Sequence, residues 1–186
     1  MGGGKAATSF DKSDDHVTCG DVDNLDSASA FTVSCWVFLS TANSGSNQAI
    51  FSMGAGSSST TRFWKGGSQE IRFQANNGSS LSTTSAHRIT LDAWNHVAVT
   101  YASATAKIYI NASLKKTGTT GTLGASGGTG FNIGRLFAGY NTHYWGGLID
   151  EFAIWTATLD DDDITAIYNS GVPNDLSVAS SYNTDR

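Results

Sequence analysis

The stretch FTVSCWVFL, residues 31–39, decides the fold class. Phe31, Val33, Cys35, Val37 and Leu39 fall on one face at period two, and Thr32, Ser34, Trp36 and Phe38 fall on the other. A helix would scatter the first set around its axis, whereas a strand gathers it on one side. The second face is apolar enough to be partly covered, as expected of an inner strand in a layered β protein. The same period recurs outward from this run. Residues 49–53, 62–64 and 71–75 read as strands, with Gly66 and Gly67 as the turn between the last two. Residues 87–91, 96–101 and 107–111 follow. Residues 117–130 read as a Gly- and Thr-rich loop with one short strand, and residues 131–135 and 148–155 close the series.

One helix is expected, near the C-terminus. Asp160 caps it, and residues 161–163, all Asp, set negative charge against the positive end of its dipole. Ile164, Ile167 and Tyr168 have the spacing of one buried face, Gly171 stands where a C′ glycine belongs, and Pro173 prevents resumption. The whole chain, 186 residues, is the length of one domain. Residues 1–6 read as a flexible arm, 7–171 as the domain and 172–186 as a tail. Charged residues make up 15% and the net charge is −5, with no basic run longer than Lys115–Lys116. Nucleic acid is therefore excluded as a partner, since tracking phosphates requires clustered cations. No apolar stretch is long enough to span a membrane as a helix, and the opening residues carry no export signal. Cys19 and Cys35 form no metal-ligand spacing and read as small core residues.

Four segments in order carry a family resemblance: SFDKSDDHV (9–17), FTVSCWVFL (31–39), WNHVAVTYASATAKIYIN (94–111) and GGLIDEFAIWTATLDDDDITAIYNSG (146–171). Together they resemble the concanavalin-A-like, laminin-G-like jelly roll. The resemblance implies an all-β fold, a two-sheet antiparallel jelly-roll sandwich with one short C-terminal helix, and a role in binding or adhesion. Within these segments Trp94 reads as a core anchor alongside Val97, Val99 and Tyr101. Asn111–Ala112 stands where similar proteins carry Asp-Gly. Ala adopts positive φ poorly, so another turn type is expected there. Regular alternation over residues 148–155 sets Ile149, Glu151, Ala153 and Trp155 on one face and Leu148, Asp150, Phe152 and Ile154 on the other.

Some members of this superfamily are glycosidases with two glutamates on one strand. Retaining chemistry needs two carboxyls about 5–5.5 Å apart. This chain has only Glu70 and Glu151, far apart in sequence, and Asp150 and Glu151 are expected on opposite faces, so no catalytic residues and no enzyme activity are expected. His16, His87, His96 and His143 show no zinc spacing, and His87 and His96 read as structural residues on strands. Similar sandwiches often hold structural Ca²⁺ where the first and last strands meet. The resemblance puts Asp11, Asp14 and Asp150 there, against the alternative that Asp11 and Asp14 only shape a turn.

The loop at 135–145, RLFAGYNTHYW, concentrates Phe137, Tyr140, His143 and Tyr144 beside Arg135 and Asn141. Amphipathic rings with a wet end suit a binding surface, for glycan or for protein. Arg62, Trp64 and Asn76 join them if their hairpin lies on the same rim. Two functions are expected on this basis. The first is a virion surface component, a phage capsid decoration, cement or fibre protein contacting other subunits, homo-oligomer included. The second is a soluble or secreted extracellular carbohydrate-binding, lectin-like module.

Overall fold

A computed structural model of the chain describes residues 7–22, 25–54, 60–124, 130–136, 143–173 and 175–176. Two six-stranded antiparallel sheets face each other. The first has the order β1 (Thr8–Asp11), β12 (Gly146–Trp155), β3 (Ala30–Leu39), β8 (Trp94–Ala102), β9 (Thr105–Ile110), β10 (Ser113–Thr119). The second runs β2 (Val17–Thr18), β11 (Phe131–Ile133), β4 (Gln48–Met53), β5 (Thr61–Lys65), β6 (Ile71–Gln74), β7 (Leu81–Ser82). One helix, α1 (Asp161–Tyr168), follows β12. This is the all-β, two-sheet jelly-roll sandwich with a short terminal helix that the sequence implied.

The inward set of β3 builds the core. Phe31, Val33, Cys35, Val37 and Leu39 are buried against Phe51, Phe63, Phe73 and Phe131 of the second sheet and Val97, Val99 and Ile108 of their own. Phe51 and Phe131 stack at 5.0 Å between ring centroids. The other face of β3 is covered too. Trp36 stacks on Tyr168 of α1 at 5.7 Å, and Ile164 and Ile167 pack with Trp155, Tyr109 and Leu176 in a second apolar cluster. An eight-residue helix is far too short to persist alone in water, so this contact and its capping hold it. Asp160 accepts a hydrogen bond from Asp163 N at 2.9 Å, and the Asp163 side chain reaches back to Asp160 N. The left-handed residue that ends α1 is Asn169, ahead of Gly171, because a short 3-10 turn intervenes.

Several local expectations are corrected. Trp94 is exposed, 39%, and meets Phe38 edge-on at 5.8 Å. Strand parity explains it: Trp94 shares a face with His96 and Ala98, and Val97, Val99 and Tyr101 occupy the opposite one. Cys19 is exposed, beside the two-residue strand β2, while Cys35 is buried. Residues 87–91 form no strand. A single bridge links Arg88 to Glu70, and His87 lies in an exposed turn. β10 escaped the alternation signal because it is a solvated edge carrying Lys115 and Lys116.

The turn at Asn111–Ala112 has positive φ at both residues, 51° and 61°, so the two-residue primed hairpin forms despite the alanine. Ser103–Ala104 does the same between β8 and β9. In β12 the register slips between Asp150 and Ala153, and Glu151 takes φ 47°. This bulge reverses the face of everything after it. Ile149 is in the core before the bulge, Phe152 and Ile154 pack on the core after it, and Ala153 and Trp155 turn to the α1 side.

Candidate functional site

The outward face of the second sheet is polar by construction. On β5, Phe63 enters the core and Arg62 and Trp64 point away. On β6, Ile71 and Phe73 enter the core, leaving Arg72 and Gln74 outward. Antiparallel register sets Trp64 beside Arg72 and Arg62 beside Gln74. The Arg62 guanidinium lies 4.6 Å over the Trp64 ring, and its Nε donates to Gln74 Oε1 at 2.8 Å. Trp64 is thus a nearly covered floor that fixes a flat cation above it. Arg72 Nη2 pairs with Glu70. Burial alone would raise the Glu70 carboxyl, yet hydrogen bonds from its own amide and from Arg72 hold it below the usual range.

His143 stands shortly before β12. Its carbonyl accepts from Ala49 N at 2.9 Å, which ties it to β4. Burial, and then the positive charge of Arg62, lower its imidazole pKa. Arg62, Trp64, Arg72, His143 and Asn47 enclose a hollow of about 130 Å³ above Ala49 and Leu136. That is below the roughly 300–1,000 Å³ of an enclosed drug-sized pocket. It suits one ring or one end group.

Of the remaining residues singled out in the sequence, the described ones lie elsewhere. The Arg135 guanidinium donates to Asn132 Oδ1 at 2.8 and 3.0 Å, bracing the β2–β11 edge. Tyr144 is buried, with its ring 6.3 Å from His16. Asn76 sits in the turn after β6, its amide donating to Thr61 Oγ1. Phe137, Tyr140 and Asn141 fall outside the described residues. Arg72 and Asn47 escaped the sequence reading. Arg72 carried a usable signal, since it alternates with Ile71 and Phe73.

At the strand junction the clustered carboxylates are Asp11, Asp14 and Asp15, with ligand oxygens within 4.8 Å. Asp150 is not among them; its carboxylate accepts from Glu151 N at 2.9 Å. Asp11 Oδ1 accepts from Ser13 N at 2.8 Å and Asp14 N at 3.2 Å, and these backbone bonds, Ser13 first, lower its pKa. Asp11 thus shapes an Asx turn, and Asp150 lies outside the group that Asp11 and Asp14 form with Asp15.

A Ser34–His96 contact of 2.6 Å is buried beneath Trp36 and Tyr168, and the recess beside Ser34 has no room for a solvent molecule. Burial drops the His96 pKa to about 4. Glu70 lies just before β6 of the second sheet, bridged to Arg88, and Glu151 lies on β12 of the first. Among the described residues no helix is long and apolar enough to cross a membrane.

A family model described as the concanavalin A-like lectin/glucanases superfamily matches residues 11–165. The chain belongs to this superfamily. No curated protein sequence is detectably similar to it. Among solved structures, the concanavalin A-like sandwich of this chain is similar to a heptameric SAP-like pentraxin from Limulus polyphemus. The TM-score is 0.65 at 18% identity, over 86% of this chain and 80% of that one. It is also similar to a putative carbohydrate binding protein from Bacteroides ovatus, with TM-score 0.67 and 18% identity. That match covers 92% of this chain but only 49% of the other. A third is the CBM40 of Ruminococcus gnavus IT-sialidase bound to α2,3-sialyllactose, with TM-score 0.65 and 16% identity, over 88% and 95% of the two chains. At these identities the likeness concerns the lectin-like fold.

Proposed function

We propose that this protein is a non-catalytic carbohydrate-binding module whose site is the hollow on the outer face of the second sheet. The observation that carries the reading is the convergence of Arg62, Arg72 and His143 around Trp64, drawn from three separate stretches of chain into one recess. Fixed guanidinium and imidazole edges offer directed donors to sugar hydroxyls, and the apolar base of Ala49 and Leu136 suits the carbon face of a ring. Carbohydrate-binding proteins among the similar folds support the same reading. So does the placement of the only two glutamates, one just before β6 and the other on β12 of the opposite sheet, which gives retaining hydrolysis no glutamate pair. The virion-subunit expectation gains no support from the fold or its likenesses.

The test is a glycan array followed by calorimetry on the best sugar. His143→Ala and Arg62→Ala should each weaken binding by about tenfold or more, the scale of one or two lost directed hydrogen bonds. Unchanged affinity in both variants would place the site elsewhere.

A further inference from the structure

Resting on the hollow as a sugar site, we infer that its ligand carries an anionic substituent, a carboxylate or a sulfate. The protein is acidic, with net charge −5, and it has five arginines. Four of them lie on or against the second sheet: Arg62 on β5, Arg72 on β6, Arg88 bridged to Glu70 beside β6, and Arg135 after β11. Arg72 is shared between the first hollow and a second one, about 240 Å³, whose far side holds Arg88 and the hydroxyl-bearing Ser82, Thr83 and Ser85. The two recesses therefore meet at Arg72, with Arg62 and Arg88 on either side. Glu70 is the only acid among their described lining residues, and it is already paired with Arg72.

The charge separation is what a neutral sugar does not require. Hydroxyls are served as well by Asn and Ser, which this chain has in abundance. Arg62 and Arg72 occupy diagonal positions on neighbouring strands and both line the first hollow, where their like charges repel to the extent that Glu70 leaves that of Arg72 uncompensated. The field is felt locally, since Arg62 helps lower the pKa of His143. A bound anion turns that repulsion into attraction, and the planar fork of arginine matches the paired oxygens of a carboxylate or sulfate. Two acidic clusters lie away from these recesses: Asp160 to Asp163 at the start of α1, and Asp11, Asp14 and Asp15 after β1. An anionic chain would be repelled from those surfaces and steered to the arginines.

The experiment is an array on which each glycan backbone is present in neutral, carboxylated and sulfated form, probed at low and at physiological ionic strength. The wild type should retain an anionic form about tenfold or more above its neutral counterpart at low salt. That advantage should shrink as salt rises. The carboxylated and sulfated arms show which anion is preferred. Arg72→Gln should abolish the advantage, and Arg88→Gln, an exposed loop change that leaves the core untouched, should reduce it. Equal or better retention of neutral forms would overturn the anionic ligand while leaving the sugar site standing. Anionic retention indifferent to both variants would overturn its placement here. No retention of any glycan would overturn the sugar reading, and this inference with it.

Discussion

His96 shows how one residue acquires its character from the layer laid over it. On a strand its ring faces away from the central core, yet Trp36 and Tyr168 close over it and Ser34 meets its Nε2 at 2.6 Å. Its Nδ1 has no partner. Desolvation opposes the charged form, so the folded pKa is about 4 against an ordinary 6.5. Between those values the unfolded chain binds the proton and the folded chain does not. Stability is therefore full above about pH 6.5 and falls as pH drops towards 4, by up to about 3 kcal/mol. Urea unfolding at pH 7 and pH 4.5 should show this loss, and His96→Gln should remove most of the slope. A variant with the wild-type slope would mean that other groups govern the acid response. The Asp and Glu carboxyls with lowered pKa act in the same direction but at lower pH.

At the scale of elements, period two located the central strands correctly; it misled at residues 87–91, missed the solvated edge β10, and failed in β12 where the backbone departs from it. The residues of β3 gave their facing unaided. In β12, alternation could not reveal the extra residue at Asp150–Glu151, because a bulge leaves no mark in hydropathy. The hairpin turns hold Ala104 at φ 71° and Ala112 at φ 61°, where a Cβ is strained by about 1 kcal/mol or slightly more. Ala104→Gly and Ala112→Gly should each raise stability, by up to about 1 kcal/mol after the added entropy of an unfolded glycine is counted. Thermal unfolding checks it, and a lowered melting temperature in both would show that these turns carry no strain. The site was half legible for a related reason. Arg62 and Trp64 stand out in sequence, but their meeting with His143, some eighty residues on, depends on strand pairing between β4 and β5 and on the Ala49–His143 backbone bond.

Across the whole molecule, the two sheets differ in what covers their outer faces. The first is partly roofed by α1 and the residues after it, including Leu176, which turns Trp36 and Trp155 into buried residues. Among the described residues the second has no helix over it, and it carries Arg62, Arg72, the hollow and Trp64. Under the proposed reading recognition falls on one side of the sandwich, and the five tryptophans report on it independently. Trp36, Trp145 and Trp155 are buried in the two clusters or under α1, Trp64 floors the hollow, and Trp94 is exposed on the opposite sheet. The most direct measurement follows the indole N–H signals by ¹H–¹⁵N correlation spectroscopy during titration with the best array sugar, assigning Trp64 by Trp64→Phe. The Trp64 signal should shift in a saturable way while the other four stay within small changes. Movement of the Trp94 signal with Trp64 still would contradict the account and move the binding surface to the other face.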